Sequence, residues 1–379
     1  MGKAEVTMRL IKELLSDAFW ESDSNLVLAA DSQTDEIHSL ESWLRDGAEM
    51  KAHVFFQTSG SSGSPKWVAI SKGALLASAR AVIGHTNHKN SYKSLLTIPI
   101  YHVGGFGVIA RSYLSGGSVH LCQGKWRAES FISQIEELQA QCASLVPAQV
   151  VDLVSLGCTA PSCIETIVVG GGHLNDEIYL KAIELGWPLL RSYGMSEASS
   201  QIATGDSGDY WLKILKEWDT SIDDDGRLRI KGKPLFSGYV VREHEGYSFQ
   251  SPVDSEGWFT TQDEVLLQGG RLKFLRRFGR GVKILGELVD LQVIEDNLCE
   301  WLSKEIIVVP IPDQRRGQVL VAVSEDSASR LPDHANRGLC AIKELLVMPE
   351  FPRSPLGKIR RADVEEWVKG RFAGDKTAE

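Results

Sequence analysis

Residues 58 to 66 read Thr58-Ser59-Gly60-Ser61-Ser62-Gly63-Ser64-Pro65-Lys66, a run of hydroxyl side chains and glycines that ends on a lysine. Glycine lets backbone amides approach a ligand closely, hydroxyls add donors and the ammonium adds charge, which together suit a polyphosphate. A Walker A loop would need glycine at 65 and serine or threonine at 67, and Pro65 and Trp67 exclude it. A Ser/Gly linker matches the composition but not the placement, because the stretch lies tightly between the apolar runs AHVFFQ and KWVAIS. Polar or glycine-rich turns recur at Gly170-Gly171-Gly172, at Tyr193-Gly194-Met195-Ser196-Glu197, and at Gly357-Lys358 near the end of the chain.

These turns need elements to hold them. Ala52 to Gln57, Ser94 to Ile100, Thr166 to Val169 and Pro188 to Ser192 are short apolar runs that stop at such turns, as buried strands do. Asn175 caps a helix expected to run to Gly186, and Val6, Leu10, Ile11, Leu14, Leu15 and Phe19 recur at the spacing of one buried helical face. Strands alternating with helices predict an α/β fold with a largely parallel sheet and a ligand site at the strands' carboxyl ends. From Gly226 the pattern changes to short strands with turn residues, the signature of a small antiparallel barrel or meander at 226–276. After Arg277 a glycine-rich stretch leads to a helix near Gln292 to Leu302, strands at Ile306 to Val309 and Val319 to Val323, and a last helix near Ala362 to Val368, a small α+β domain.

Composition narrows the classes further. With 43% hydrophobic and 24% charged residues in 379, the chain is long enough for two or three folded domains. Lys and Arg number 41 against 50 Asp and Glu, so the net charge of -9 repels nucleic acid and anionic membrane, and any anionic ligand must be held by local groups. Cysteines at 122, 142, 158, 163, 299 and 340 form no CxxC pair, which reads as reduced thiols and argues against zinc or a disulfide framework. The N-terminal stretch has charges inside its apolar part, and nowhere are there the ~20 apolar residues of a membrane span, so a cytoplasmic location is expected.

The segment from Thr58 to Lys66 resembles the phosphate-binding motif of the adenylate-forming enzymes, the superfamily of acyl-CoA synthetases, amino-acid adenylation domains and luciferases. Further segments agree in order. Tyr193 to Ala198 is similar to the family's aromatic-Gly-x-Thr/Ser-Glu motif, with Gly170 to Gly172 upstream, and Gly257 to Asp263 resembles its ribose-binding aspartate motif. Arg276 to Gly286 resembles the hinge motif, and Pro352 to Lys358 the C-terminal lysine motif. The resemblance covers residues 52 to 362 and implies an AMP-binding domain over 1–278 and a mobile C-terminal domain over 279–379.

By that resemblance ATP or AMP is held by Thr58, Ser59, Gly60, Ser61, Ser62, Gly63 and Lys66, by Gly170, Gly171 and Gly172, by Tyr193, Gly194, Met195 and Ser196, and by Asp263 and Arg277. Tyr193 can stack on adenine, although a tyrosine after a strand is also an ordinary edge of a core. Glu197 can hold Mg2+, which prefers hard oxygens and keeps much of its water, and an exposed glutamate at a helix start is the plain alternative. Asp263 can accept both hydrogen bonds of a ribose diol or simply stabilise a turn. Lys358 is implied to reach the α-phosphate and the attacking carboxylate, with Lys66 and His102 completing the catalytic set.

The implied reaction has two steps. A carboxylate attacks Mg·ATP to give an acyl-adenylate, then a thiol, with free CoA preferred, releases AMP. His102 in Tyr101-His-Val-Gly-Gly105 is placed to gate substrate or pyrophosphate, and a satisfied core histidine reads equally well. The PIYHVGGFG segment, LVPAQV at 145–150 and Gln201 look most like those members that activate an aromatic dicarboxylate. Its second anion needs a partner, for which Arg111 is the candidate.

Three positions depart from the family pattern. Gly279 replaces the hinge aspartate, Gln262 a glycine and Ser62 a threonine, and the part ahead of Thr58 is shorter than in most members. Two alternatives follow: a different aryl or short-chain acyl-CoA synthetase, or an adenylate-binding regulatory or partner protein.

Overall fold

The computed structural model describes residues 3–30, 33–46, 49–58, 66–86, 91–244, 246–278, 281–284, 287–313, 317–331, 342–354, 357 and 359–374. The chain divides into two compact units, Met1–Thr261 with Val265–Phe274, and Gln262–Glu264 with Leu275–Glu379.

The first unit opens with helices α1 (Lys3–Leu14) and α2 (Asp17–Trp20). The predicted continuous helical face breaks at Ser16, whose hydroxyl accepts from Phe19 N and starts a new helix. Ile11, Leu14 and Phe19 are buried, but Val6 is 51% exposed, so the apolar face is shorter than its spacing suggests. Strand β1 (Leu26–Leu28), helix α3 (Thr34–Arg45), and strands β2 (His53–Thr58) and β3 (Lys66–Ser71) follow. β2 and β3 pair antiparallel with Thr58 opposite Lys66, so the hydroxyl-and-glycine run joins two paired strands.

After α4 (Lys72–Thr86) the chain alternates regularly between strand and helix. β4 (Lys93–Leu96), α5 (Val103–Leu114), β5 (Ser118–Leu121), α6 (Ala128–Leu138), β6 (Cys142–Leu145), α7 (Pro147–Leu156), β7 (Thr166–Val169), α8 (Asp176–Glu184) and β8 (Leu189–Tyr193) build a parallel block. Phe106, Ile109 and Ala110 of α5 pack in one core with Leu96, whereas Phe131, Val150 and Tyr179 of α6, α7 and α8 pack in another with Leu95. Successive residues of β4 thus face opposite cores, as in a sheet covered by helices on both sides.

Antiparallel strands extend this sheet: β9 (Ala203–Thr204), β10 (Leu212–Ile214), β11 (Trp218–Ile222) and β12 (Arg227–Gly232). β13 (Gly238–Glu243) and β14 (Gly246–Gln250) instead join β1, β2 and β3 in a 5-stranded sheet, with β13 beside β3. With β15 (Phe259–Gln268) and β16 (Arg271–Arg277) the larger sheet has 11 strands in the order β11-β12-β15-β16-β10-β9-β8-β7-β6-β4-β5. The strands expected to form a barrel or meander are therefore shared between these two sheets.

The second unit holds a hairpin, β17 (Gly281–Ile284) and β18 (Glu287–Asp290), then α9 (Leu291–Leu302) and the 3-stranded sheet β19 (Ile306–Asp313), β20 (Gly317–Ser324) and β21 (Ile342–Val347), closed by α10 (Arg361–Gly374). Ile306 and Val308 face the α9 side, and Ile307 and Val309 the α10 side, the period-2 alternation of a strand buried on both faces. Buried Glu295 accepts two hydrogen bonds from Arg361 at 2.6 Å each and one from Val308 N at 2.8 Å, so its charge is paired where it leaves water. Among the described residues no helix is long and apolar enough to cross a membrane.

Candidate functional site

The adjacent parallel strands β4, β6, β7 and β8 end at the turns that the sequence marks for chemistry. Gly170 N donates to Leu145 O at 3.1 Å, and a Cβ at Gly170 would lie 2.7 Å from the Ser192 hydroxyl, so glycine lets these strand ends close together. Gly171 has a φ of 83°, a conformation that side chains disfavour. A Cβ at Gly194 would fall 1.6 Å from Ser200 O, because the loop after Tyr193 folds back on itself. Ser196 to Ala198 form a 3-10 turn after Met195, and Ser199 and Ser200 follow with φ of 52° and 119°. Strained backbone of this kind is kept where surrounding structure enforces it.

Tyr193 stands at the end of β8, half-buried, and its ring lies 6.0 Å from Phe274 on β16, which is 40% exposed. The pair offers an aromatic surface for a planar base. Glu197 is half-buried and accepts a hydrogen bond from Tyr239 Oη at 2.8 Å. Lys66, at the start of β3, places its Nζ 3.6 Å from the centroid of the same Tyr239 ring. The lysine, the tyrosine and the glutamate are thus grouped although they come from β3, β13 and the turn after β8.

Among the described residues no group of three or more His, Cys, Asp and Glu forms a metal cage. A single carboxylate such as Glu197 fits Mg2+ when a polyphosphate is bound, because that ion takes phosphate oxygens and water as its other ligands.

Arg111 lies on α5, close behind the same strand ends. Helical side chains lean toward the N-terminus, so Arg111 on α5 points back over Gly107, where an added Cβ would lie 3.3 Å from its Nη1 and 3.7 Å from Ser200 Oγ. Its Nη2 donates to Ser144 Oγ on β6 at 3.1 Å. Arg111 is only 6% exposed, and among the described residues no carboxylate lies within 4 Å of it. Burial pushes its pKa down from the ordinary arginine value, partly offset by Tyr92 and Cys142 nearby.

Gln201, next to Ser200, is buried, and its Oε1 accepts from Thr204 Oγ1 at 2.6 Å. Gln201 O accepts from Trp218 Nε1 at 2.9 Å. His102 occupies the N-cap position of α5 with its ring 4.7 Å from that of Tyr101.

In the second unit, Asp263 is 4% exposed and faces Arg277, with Nε 3.6 Å from Oδ1. Arg276 pairs with Glu264 next to them, and Phe278 N donates to Gln262 O at 2.5 Å. Both chain neighbours of Lys358 are anchored. Arg353 Nη1 donates to Gly357 O at 3.1 Å, Ile359 bridges to Arg353, and Arg353 is paired with Glu305 at 2.6 Å and Glu325 at 3.1 Å. Lys358 itself, Ser59, Gly60, Ser61, Ser62, Gly63 and Gly279 lie outside the described residues.

Sequence reasoning missed Tyr239, Phe274, Ser144 and Arg353. Only Arg353 stood inside a recognised motif, and the others reach the site through strand pairing or helix packing that no local pattern announces.

Known proteins resemble this chain in sequence and in fold. A 2-succinylbenzoate–CoA ligase of Listeria monocytogenes serovar 1/2a is 27% identical over 387 aligned positions, covering 97% of this chain and 80% of that protein. The o-succinylbenzoate CoA synthetase (MenE) of Bacillus subtilis, in complex with the acyl-adenylate intermediate OSB-AMP, superimposes with a TM-score of 0.71 at 21% identity, covering 94% of this chain and 81% of that one. The amide bond synthetase McbA of Marinactinospora thermotolerans does so with a TM-score of 0.68 at 22% identity, covering 83% and 70%. At these identities the solved structures establish the shared fold. The model of the AMP-binding enzyme family matches residues 10–242, and the chain belongs to that family.

Proposed function

We propose that the protein is an ATP-dependent acid–thiol ligase that converts o-succinylbenzoate to o-succinylbenzoyl-CoA through an acyl-adenylate. The observation that carries the substrate is Arg111, a buried guanidinium with no carboxylate within 4 Å among the described residues. A buried arginine is stabilised by a fork-matched carboxylate. A substrate with two carboxylates can give one to Arg111 and keep the other for chemistry, as an aromatic acid with a single carboxylate cannot. The name of the Listeria relative and the ligand named with the Bacillus structure support the same choice.

The chain's own residues then divide the work. Thr58 to Lys66 and Glu197 hold the triphosphate with its Mg2+, Gly170 to Gly172 and Tyr193 receive the base, and Asp263 with Arg277 binds the ribose. Bound Mg2+ supplies charge neutralisation on the phosphates. The reacting carboxylate of the substrate attacks the α-phosphorus, and pyrophosphate leaves with the charge that Lys358 helps to stabilise. Thiolate attack on the mixed anhydride then forms the thioester and releases AMP. No side-chain nucleophile is required, because positioning and charge stabilisation account for the catalysis.

AMP release with o-succinylbenzoate, benzoate and octanoate, each with and without CoA, tests the proposal. CoA-dependent AMP release is expected with o-succinylbenzoate and little with the other acids. Equal turnover of benzoate would remove the dicarboxylate assignment, and no turnover of any acid would remove the ligase assignment.

A further inference from the structure

The cluster formed by Lys66, Tyr239 and Glu197 assigns a task to a residue outside every recognised motif. Tyr239 lies on β13, opposite Val68 of β3, and Lys66 lies opposite Val241. The period of a strand places Lys66, Val68, Tyr239 and Val241 on one face, and makes Tyr239 the diagonal neighbour of Lys66. Phe236, whose ring is 4.9 Å away in an edge arrangement, fixes the Tyr239 ring from below, and Phe236 N donates to Glu197 O at 2.9 Å. The tyrosine is therefore held by packing in a place where its face meets an ammonium and its hydroxyl meets a carboxylate.

We propose that Tyr239 is a positioning residue for both charged groups that meet the nucleotide's phosphates: its hydroxyl aims Glu197 and its ring seats Lys66. This rests on the reading of Glu197 as the Mg2+ carboxylate and Lys66 as a phosphate ligand. A hydrogen bond from Tyr239 Oη to Oε1 restricts the rotation of the carboxylate and so leaves Oε2 to serve a cation. A carboxylate oriented in advance loses less freedom when the cation arrives on the phosphates. The ring offers the ammonium a weak, uncharged partner.

The test uses the full chain with α,β-methylene-ATP, whose bridging carbon blocks adenylate formation, and follows Mn2+ binding by electron paramagnetic resonance. Tyr239→Phe keeps the ring and removes only the hydroxyl. Its Mn2+ affinity is expected to fall about tenfold, the size of a lost hydrogen bond to a charged group. Its affinity for the nucleotide in EDTA and its melting temperature should stay at the wild-type values. Tyr239→Leu removes the ring as well and should weaken metal-free nucleotide binding about threefold.

Glu197→Gln is the control, and its failure to weaken Mn2+ binding would remove the Glu197 reading and this proposal with it. With that control weakened, an unchanged Mn2+ affinity in Tyr239→Phe overturns the proposal alone. A Tyr239→Phe variant that loses melting temperature and every affinity together also overturns it, by giving the hydroxyl a purely structural role.

Discussion

Lys72 and Arg111 are both cations buried in the first unit, 2% and 6% exposed, yet their surroundings differ. Lys72 Nζ donates to Phe19 O at 2.6 Å, Ser22 O at 2.9 Å and Ser22 Oγ at 3.0 Å, and sits 4.3 Å from the centroid of the Phe19 ring. An ammonium has three donors, so it is saturated. Arg111 carries five donors, and among the described residues only Ser144 Oγ accepts from it. The first cation is complete as folded: it clamps the turn after α2 onto the start of α4. The second has donors left for a further acceptor, the place that the proposed substrate carboxylate would take.

The largest effect that would break this contrast is on substrate affinity. Arg111→Leu should raise the KM for o-succinylbenzoate by about a hundredfold, the cost of losing a charge-assisted pair. The KM for ATP should stay unchanged, and the melting temperature should not fall, because an unpaired buried charge has been replaced by an apolar side chain. Equal effects on both substrates would return Arg111 to a structural role.

Lys72→Met should show the reverse pattern. It removes the ammonium from Phe19 O, which keeps the Ser22 hydroxyl at 3.0 Å, and from Ser22 O, and should cost about 2 kcal/mol in chemical denaturation, with both KM values unchanged. Arg111→Lys sharpens the comparison further. It keeps the charge but loses the planar fork, so an intermediate rise in the KM for o-succinylbenzoate, about tenfold, is expected in steady-state kinetics.

The smallest effect concerns Cys142, which shares a small cavity with Arg111, Tyr92, Ser94 and Thr166. Burial pushes its thiol up to about 12, with the Arg111 charge opposing the rise. The native state therefore keeps a proton that the unfolded chain loses near the ordinary thiol value. This contribution to stability is complete below that value and declines as the pH rises toward 12, by ~1.4 kcal/mol per pH unit at most. Denaturation curves between pH 8 and 10 should show stability falling with pH in the wild type and falling less steeply in Cys142→Ala, the remainder coming from the buried thiols of Cys122 and Cys299, and Cys142 should resist alkylation in the native state.

Much of this site could be read from the chain alone because its parts are local. Gly170 to Gly172 and the run from Tyr193 to Glu197 combine residue types with turns that follow strands, and the structure puts these turns at neighbouring strand ends. Arg111 was legible as a cation following the pocket strand, but not as a buried one: its direction depends on Gly107 four residues earlier and on Ser144 in another strand. Val6 fitted a helical period and is nevertheless exposed, since periodicity does not say where the neighbouring surface ends.

Residue types and their spacing determined the chemistry on offer: hydroxyls, glycines and a lysine for phosphates, a carboxylate for a hard cation, and an arginine for a second anion. Tertiary structure decided which of these groups meet. Tyr239 lies 42 residues from Glu197 in the chain and reaches it only because β13 pairs with β3 in one register. Shifting that register by one residue would turn the tyrosine to the opposite face. It decided too that one buried cation is saturated and the other is not, because the count of acceptors around a charge depends on packing from distant segments and leaves no trace in local sequence.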